Sequence, residues 1–446
     1  MSSINLTHHD SQVNRLAVVA VQEKENQLLC ITTTDNATGE VEAAAVKEAL
    51  DNWGISTDTI IASSFDTTSS NTGRKSGSTV LLQKLLNRQL LWLSCRHHIA
   101  ELILKAAFKS LFGKTTAPST TLFSTLKSSW ASLDLTDLRF PPTPACYRSS
   151  VDPLLAFLDE RLLPQNADHI TRGDYKELLE LAKVCLGGTV TRKGGFTVTL
   201  SKPGADSNAR WMSKCLYILK FSLLQHQIPS LTARMKKKII TMSSFILYSY
   251  LFYWFTSPSL TRAASNDLKM FQSLSSFKRV NKAVSESCLR VLQRHTWYLS
   301  EDSIPFALFN PDLDEETGNL LAQQIGELPP SPVQIKKPKL PTITPDAELP
   351  DFVGPRSILL FSHLKIDHTF LLATDWRDTP LFARMEKVVR SLTPINDSSE
   401  RSLALATCFN GKITRDEESF QNLMLVVAAH RKKYGFKSKK DLKSFV

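Results

Sequence analysis

Three short stretches carry residue types that could do chemistry. Asp66 closes an apolar run, Ile60 to Phe65, and precedes a polar turn, Thr67 to Gly73, rich in Ser, Thr and Asn. An acid at a strand end can hold a hard cation, and in sheets with crossover helices ligands gather outside the carboxyl ends of the strands. The same acid is equally at home as a helix cap or turn former. The second stretch, Cys95-Arg-His-His98, follows the apolar run Leu90 to Leu93. Cys95 and His98 are zinc-ligand types, but a structural zinc site takes about four ligands and no second pair stands out. The bland reading is a pair of hydrogen-bonded core histidines. The third stretch is the basic tail from His430 to Lys440. It suits phosphate contact or nuclear import, or is simply a solvated helix end.

The elements around these residues follow from apolar spacing. Ile60 to Gly113 reads as strand, acid, helix, strand, helix, the pattern of a sheet with crossover helices. Its first helix, Ser78 to Leu86, has Val80, Leu81 and Leu85 on one face; its second, Ile99 to Phe112, has Ile99, Leu102, Ile103, Ala106 and Leu111. Upstream, Leu16–Val21 and Leu28–Thr33 form a hairpin pattern across a polar link. A helix from Val41 to Trp53 follows, with Glu40 and Glu42 favourable at its positive end. Residues 1–113 are thus the first part of an α/β core. Residues 114–325 are dominated by helical periodicity, interrupted by a hairpin-like piece from Gly188 to Leu200. Residues 326–350 are Pro-rich with Lys336, Lys337 and Lys339, the composition of a linker or exposed tether. Residues 351–446 are a helical part that completes the core, with helices expected at Met385–Ser391, Asp397–Ala406 and Asp416–Tyr434, ending in the basic tail.

The chain has 446 residues, enough for two or three domains, and a net charge of +11 that suits a polyanion such as nucleic acid. Its seven cysteines (Cys30, Cys95, Cys146, Cys185, Cys215, Cys288, Cys408) are dispersed, without a CxxC. That excludes a disulfide framework and a zinc ribbon, and implies an intracellular, reducing setting. No basic region followed by an apolar core opens the sequence, so no signal peptide is expected. The longest apolar stretch, Ile239 to Phe255, follows Lys236, Lys237 and Lys238. It is short for a span and carries hydroxyl side chains, so a buried helix and no membrane partner are expected.

Taken together, these blocks resemble the hAT family of DNA transposases. Cys95-Arg-His-His98 followed by Glu101-Leu-Ile-Leu104 is similar to the family's CxxH…L block. Asp66 in Ser-Phe-Asp-Thr-Thr-Ser-Ser-Asn is similar to its D-x-x-S/A-N pattern. Arg210-Trp211 resembles its R-W motif, and Glu400-Arg401 its late S-x-x-E-R segment. The resemblance spans about residues 12 to 434. It implies a ribonuclease-H-like mixed sheet with helices, interrupted by a large, mostly α-helical insertion. It also implies a site in which three carboxylates hold two Mg²⁺ (or Mn²⁺) ions for phosphoryl transfer. By carry-over Asp66 is the second acid and Glu400 the third. Arg210 and Trp211 would lie near DNA, and Cys95 and His98 would shape the site. The C-terminal region resembles the family's dimerisation part, so a homodimer is expected.

The first acid is missing from this pattern. The runs at 16–21 and 28–33 look like the second and third strands, and the first strand is expected to be absent; Asp10 and Asp35 are the alternatives for its acid. No Cys/His pairs of a DNA-binding finger precede the core. The expected function is a transposase-derived nucleic-acid-binding protein with a degraded active site, acting in the nucleus. An active Mg²⁺-dependent strand-transfer enzyme and an interaction module without DNA activity are the alternatives.

Overall fold

The computed structural model describes residues 2–8, 11–22, 25–34, 36–113, 121–163, 173–190, 200–204, 211–330 and 334–409. Asp10, Asp35, Arg210, most of the expected 188–200 hairpin, the 416–434 helix and the basic tail lie outside them. The described chain is mostly helical, with a few strands in two small sheets. It divides into two compact units. One comprises Met1–His98, Thr256–Asp267 and His295–Val446; the other comprises Ile99–Phe255 and Leu268–Arg294. The helical unit therefore begins at 99 and closes at 294, where the sequence pattern suggested 114 and 325.

In the first unit β1 (Ser2–His8), β2 (Ser11–Gln22) and β3 (Glu25–Thr34) form an antiparallel sheet in that order. The 16–21 and 28–33 hairpin is present as β2 and β3. A strand does precede it, which corrects the expectation of a missing first strand. β1 (Ser-Ser-Ile-Asn-Leu-Thr-His) alternates only over Ser3 to Thr7, with just Ile4 and Leu6 apolar, a weak signal at this length. β4 (Ala62–Phe65) and β5 (Leu91–Ser94) pair in parallel as a separate sheet. A single mixed sheet was expected. Instead β1 pairs with β2 only as far as Ala17, and β4 pairs only with β5. A cavity of about 210 Å³ lies where the sheets would join, lined by Ala17–Val21 of β2 and Ala62–Ser64 of β4.

Helix α1 (Gly39–Asn52), the single turn α2 (Ser69–Thr72) and α3 (Ser78–Leu85) cover the strands. Ala43, Val46, Ala49 and Leu50 of α1 share a buried cluster with Leu16, Val18 and Leu29 of the sheet, and with Leu82, Leu86 and Leu90 around α3. Each Val or Leu side chain among these contributes roughly 1.5–3 kcal/mol on burial. At the far end of α1, Trp53 Nε1 donates to Leu29 O at 3.0 Å. The α3–β5 turn is fixed by buried Gln83, whose Oε1 accepts from Leu90 N and Trp92 Nε1, both at 2.9 Å.

Helix α4 (Arg96–Phe112) leaves the end of β5 and carries the chain into the helical unit. That unit is built from α4, α5 (Thr121–Ser129), α6 (Val151–Leu162), α7 (Gly173–Cys185), α8 (Trp211–Leu224), α9 (Ala233–Thr256), most of α10 (Ala263–Ser276) and α11 (Lys282–Leu292). Helix α9 contains the apolar 239–255 stretch and a π turn at Ile246–Tyr250. It is long and apolar enough to cross a membrane, yet 72% of its apolar window is buried inside the protein.

In the first unit the chain returns through α12 (Glu315–Gly326), α13 (Leu359–Leu364), α14 (Pro380–Ser391) and α15 (Asp397–Phe409). The described part of the Pro-rich stretch is a strap rather than a free tether. Lys336 N donates to Gln89 Oε1 at 2.8 Å, Lys337 Nζ to Thr72 O at 2.7 Å, and Pro341 O accepts from Thr296 Oγ1 at 2.7 Å. Composition cannot reveal this, because the partners of these backbone groups lie far away in sequence.

Helix α13 carries a pH-sensitive contact. The Arg88 guanidinium donates to His363 Nδ1 at 3.1 Å, which requires a neutral imidazole. Burial first, and the Arg88 charge second, push the His363 pKa down from 6.5 to about 4. Between those values the unfolded chain binds a proton that the native protein does not. Stability should therefore fall as the pH drops through that window, by up to about 1.4 kcal/mol per pH unit. Urea unfolding at pH 7, 6, 5 and 4 measures this slope, and His363→Gln should flatten it. An unchanged slope in the variant would assign the effect elsewhere.

Candidate functional site at the ends of β4 and β5

The parallel pairing of β4 and β5 brings two of the sequence blocks together. Cys95 N donates to Phe65 O at 2.7 Å, so Asp66 and Cys95 leave adjacent strand ends. The turn after Asp66 is tightly tied. Asp66 Oδ1 accepts from Thr68 N at 2.9 Å, from Asn71 Nδ2 at 2.8 Å, and from the Thr68 hydroxyl. This is an Asx-turn, the arrangement an acid at this position makes most readily. Buried Asn71 in turn accepts from Ser78 Oγ at 2.7 Å, which anchors the turn to α3. Close approach requires glycine at 77: a Cβ there would lie 2.4 Å from Gly73 N and 2.5 Å from Gly73 O.

The third block arrives from some 300 residues away. Arg96 N donates to Pro394 O at 2.9 Å, Cys95 Sγ donates to Asn396 Oδ1 at 3.0 Å, and His97 Nδ1 meets Asp397 Oδ1 at 3.1 Å. The first turn of α15 thus sits on the Cys95–His97 segment, and its acids, Asp397 and Glu400, suit the positive end of that helix. Burial pushes the Cys95 thiol well above its usual range, and the nearby charge of Glu400 pushes it further. The Cys95 thiol is the hydrogen-bond donor to Asn396 in this geometry. His98 lies at the start of α4 and hydrogen-bonds the Cys95 group through its backbone.

Beneath this junction Arg96 is fully buried. It donates to Asp267 Oδ1 at 2.9 Å and Ala263 O at 3.1 Å, and lies 5.1 Å over the Tyr298 ring. Tyr298 Oη donates to Ser94 O at 2.6 Å, which closes the network on β5.

The site therefore unites Asp66, Cys95 and the first turn of α15, which holds Glu400. Trp211 opens α8 in the other unit, and its side chain lies outside the described residues. Sequence reasoning missed Asn396 and Asp397 as site residues, while His97 is the buried, hydrogen-bonded histidine that the bland reading of the run expected. The signal available was Asn396-Asp397 ahead of a helix, a common capping pair.

Two of the acids at this junction already have partners within the protein. Mg²⁺ needs carboxylate oxygens free to converge at octahedral positions. One oxygen of Asp66 is spent on its own turn, and Asp397 faces His97. β1 carries neither Asp nor Glu. Among the described residues, no three His, Cys, Asp or Glu side chains are grouped to hold a metal ion.

No protein-family model matches this chain, and no curated protein is significantly similar to it. The functional reading consequently rests on the residues and their geometry.

Proposed function

We propose that this chain is a transposase-derived, nucleic-acid-binding protein on a ribonuclease-H-like core, with a catalytic centre that no longer assembles. The observation that carries the reading is the convergence of the Asp66, Cys95–His98 and Glu400 blocks at the carboxyl ends of two parallel strands. Strand ends of this kind are where sheets with crossover helices place their ligands. The net charge of +11 supports a polyanionic partner. DNA is that partner in this reading, with a homodimer as the working assembly and the nucleus as its compartment.

The test is binding of a labelled DNA duplex by fluorescence anisotropy across a salt series. Phosphate contacts release counterions, so the logarithm of affinity should fall linearly with the logarithm of salt. Binding too weak to measure at low salt, or binding insensitive to salt, would favour an interaction module without DNA activity. The active-enzyme reading draws on a narrower observation: Asp66 follows Phe65, which is bonded to Cys95, and Glu400 acts electrostatically on that same Cys95. Calorimetric titration of Mn²⁺ into wild type and Asp66→Ala separates the two. The degraded-site reading expects no saturable binding in either. Binding lost in the variant, together with Mg²⁺- or Mn²⁺-dependent DNA cleavage by wild type, would restore an active centre.

A further inference from the structure

The helical unit carries a concave basic surface away from the residues already discussed. Buried Cys288 of α11 donates to Ile103 O of α4 at 3.5 Å, which seats the two helices against each other. Beside that contact a cleft of about 370 Å³ opens, lined by Lys109 and Ser110 of α4 and by Ser287, Arg290 and Arg294 at α11 and just beyond it. Lys109, Arg290 and Arg294 are exposed, and no Asp or Glu is among the described residues that line the cleft. Arg290 lies on α11 and Arg294 in the turn that follows it, where Arg294 N donates to Val291 O at 3.0 Å, so both line the cleft opposite Lys109 of α4. Arg290 Nη2 donates to Ser287 Oγ at 3.2 Å, which holds a guanidinium and a hydroxyl together.

We infer that the α4–α11 cleft is a phosphodiester-binding site through which the helical unit grips the backbone of DNA. The chemistry fits. Guanidinium and ammonium groups give charge-assisted hydrogen bonds to phosphate oxygens, and serine hydroxyls add neutral ones. As a grip on the sugar-phosphate backbone, the site contributes affinity and register rather than sequence choice. The concavity distinguishes it from a merely solvated basic helix face, because converging cations raise the local potential and gain from an anion that neutralises them.

This inference rests on the nucleic-acid reading, and one experiment separates the two. Binding of a labelled duplex is measured against salt for three full-length proteins. These are the wild type, a cleft variant (Lys109→Gln, Arg290→Gln, Arg294→Gln), and a control of equal charge (Lys84→Gln, Lys278→Gln, Lys339→Gln). All six side chains are exposed, so both variants should fold. The cleft variant is expected to lose roughly one unit of log–log salt slope per cation removed, about three in all, and the control much less. Equal losses in both variants would reduce the effect to net charge and overturn the cleft assignment. A cleft variant that binds like wild type would overturn it as well. A wild type that does not bind would overturn the nucleic-acid reading itself. Adding inorganic phosphate as a competitor distinguishes free-ion binding: displacement of the duplex at millimolar phosphate, where equal ionic strength of chloride has no effect, would make the cleft a site for the free ion.

Discussion

Arg96→Met should destabilise the protein by about 3–5 kcal/mol, the cost of breaking a buried ion pair from one side. Arg96 and Asp267 both have fully buried side chains, 2.9 Å apart. Removing the guanidinium leaves the Asp267 carboxylate in a medium that cannot solvate it, and the protein must unfold locally or protonate the acid. It also removes the donor to Ala263 O and the cation over Tyr298. The charge partner, rather than lost packing, is the stated cause. The double variant Arg96→Met, Asp267→Leu should therefore recover most of the loss, since an apolar pair of similar volume is often neutral. Denaturant unfolding of the three proteins provides the measurement. A single variant within about 1 kcal/mol of wild type would show that the pair is not what holds this junction.

The second large effect is at Trp92. This side chain is 1% exposed, meets Phe65 edge-on with centroids 5.2 Å apart, and stacks on Trp297 at 5.6 Å. Trp92→Ala should cost about 3–5 kcal/mol through lost burial and the cavity left behind. Part of the cost is polar, because Trp92 Nε1 is one of two donors to Gln83 Oε1. Trp92→Phe keeps a ring but drops that donor, and a single net hydrogen bond is worth about 1 kcal/mol. The expected order of stability by thermal unfolding is wild type, then Phe, then Ala. A Phe variant as unstable as Ala would assign the loss to the hydrogen bond; equal stability of all three would mean the site repacks freely. Because Phe65 immediately precedes Asp66, the Ala variant should also loosen the turn after Asp66, visible as faster amide exchange at Thr68, whose N–H is held by Asp66 Oδ1.

The sequence was most legible where a single face repeats. The β2–β3 hairpin, α1 and the β4–α3–β5 crossover each lie close to where apolar spacing placed them, because each buries one face against neighbours close in the chain. It was least legible where polar groups find distant partners. The Pro-rich stretch reads as a tether by composition, yet Lys336, Lys337 and Pro341 are tied to Gln89, Thr72 and Thr296. β1 carries only a short alternation, Ile4 and Leu6 between polar residues, and pairs along the edge that β2 offers.

The candidate site divides in the same way. Sequence alone determined the chemical inventory: an acid at a strand end, a Cys-Arg-His-His run, a late Glu-bearing helix and a strong positive charge. It also determined the local turn at Asp66, since Asp, Thr and Asn at short spacing hydrogen-bond one another without outside help. Only the tertiary structure decided which of these meet. It set the first turn of α15 on Cys95 and His97 across 300 residues and buried the Cys95 thiol as a donor to Asn396. It also gave Asp66 a partner in its own turn and Asp397 a partner in His97. The physical reason is one of reach. Side-chain type and short-range spacing fix what a residue is able to do, while burial, dielectric and long-range partners fix what it does in the folded protein.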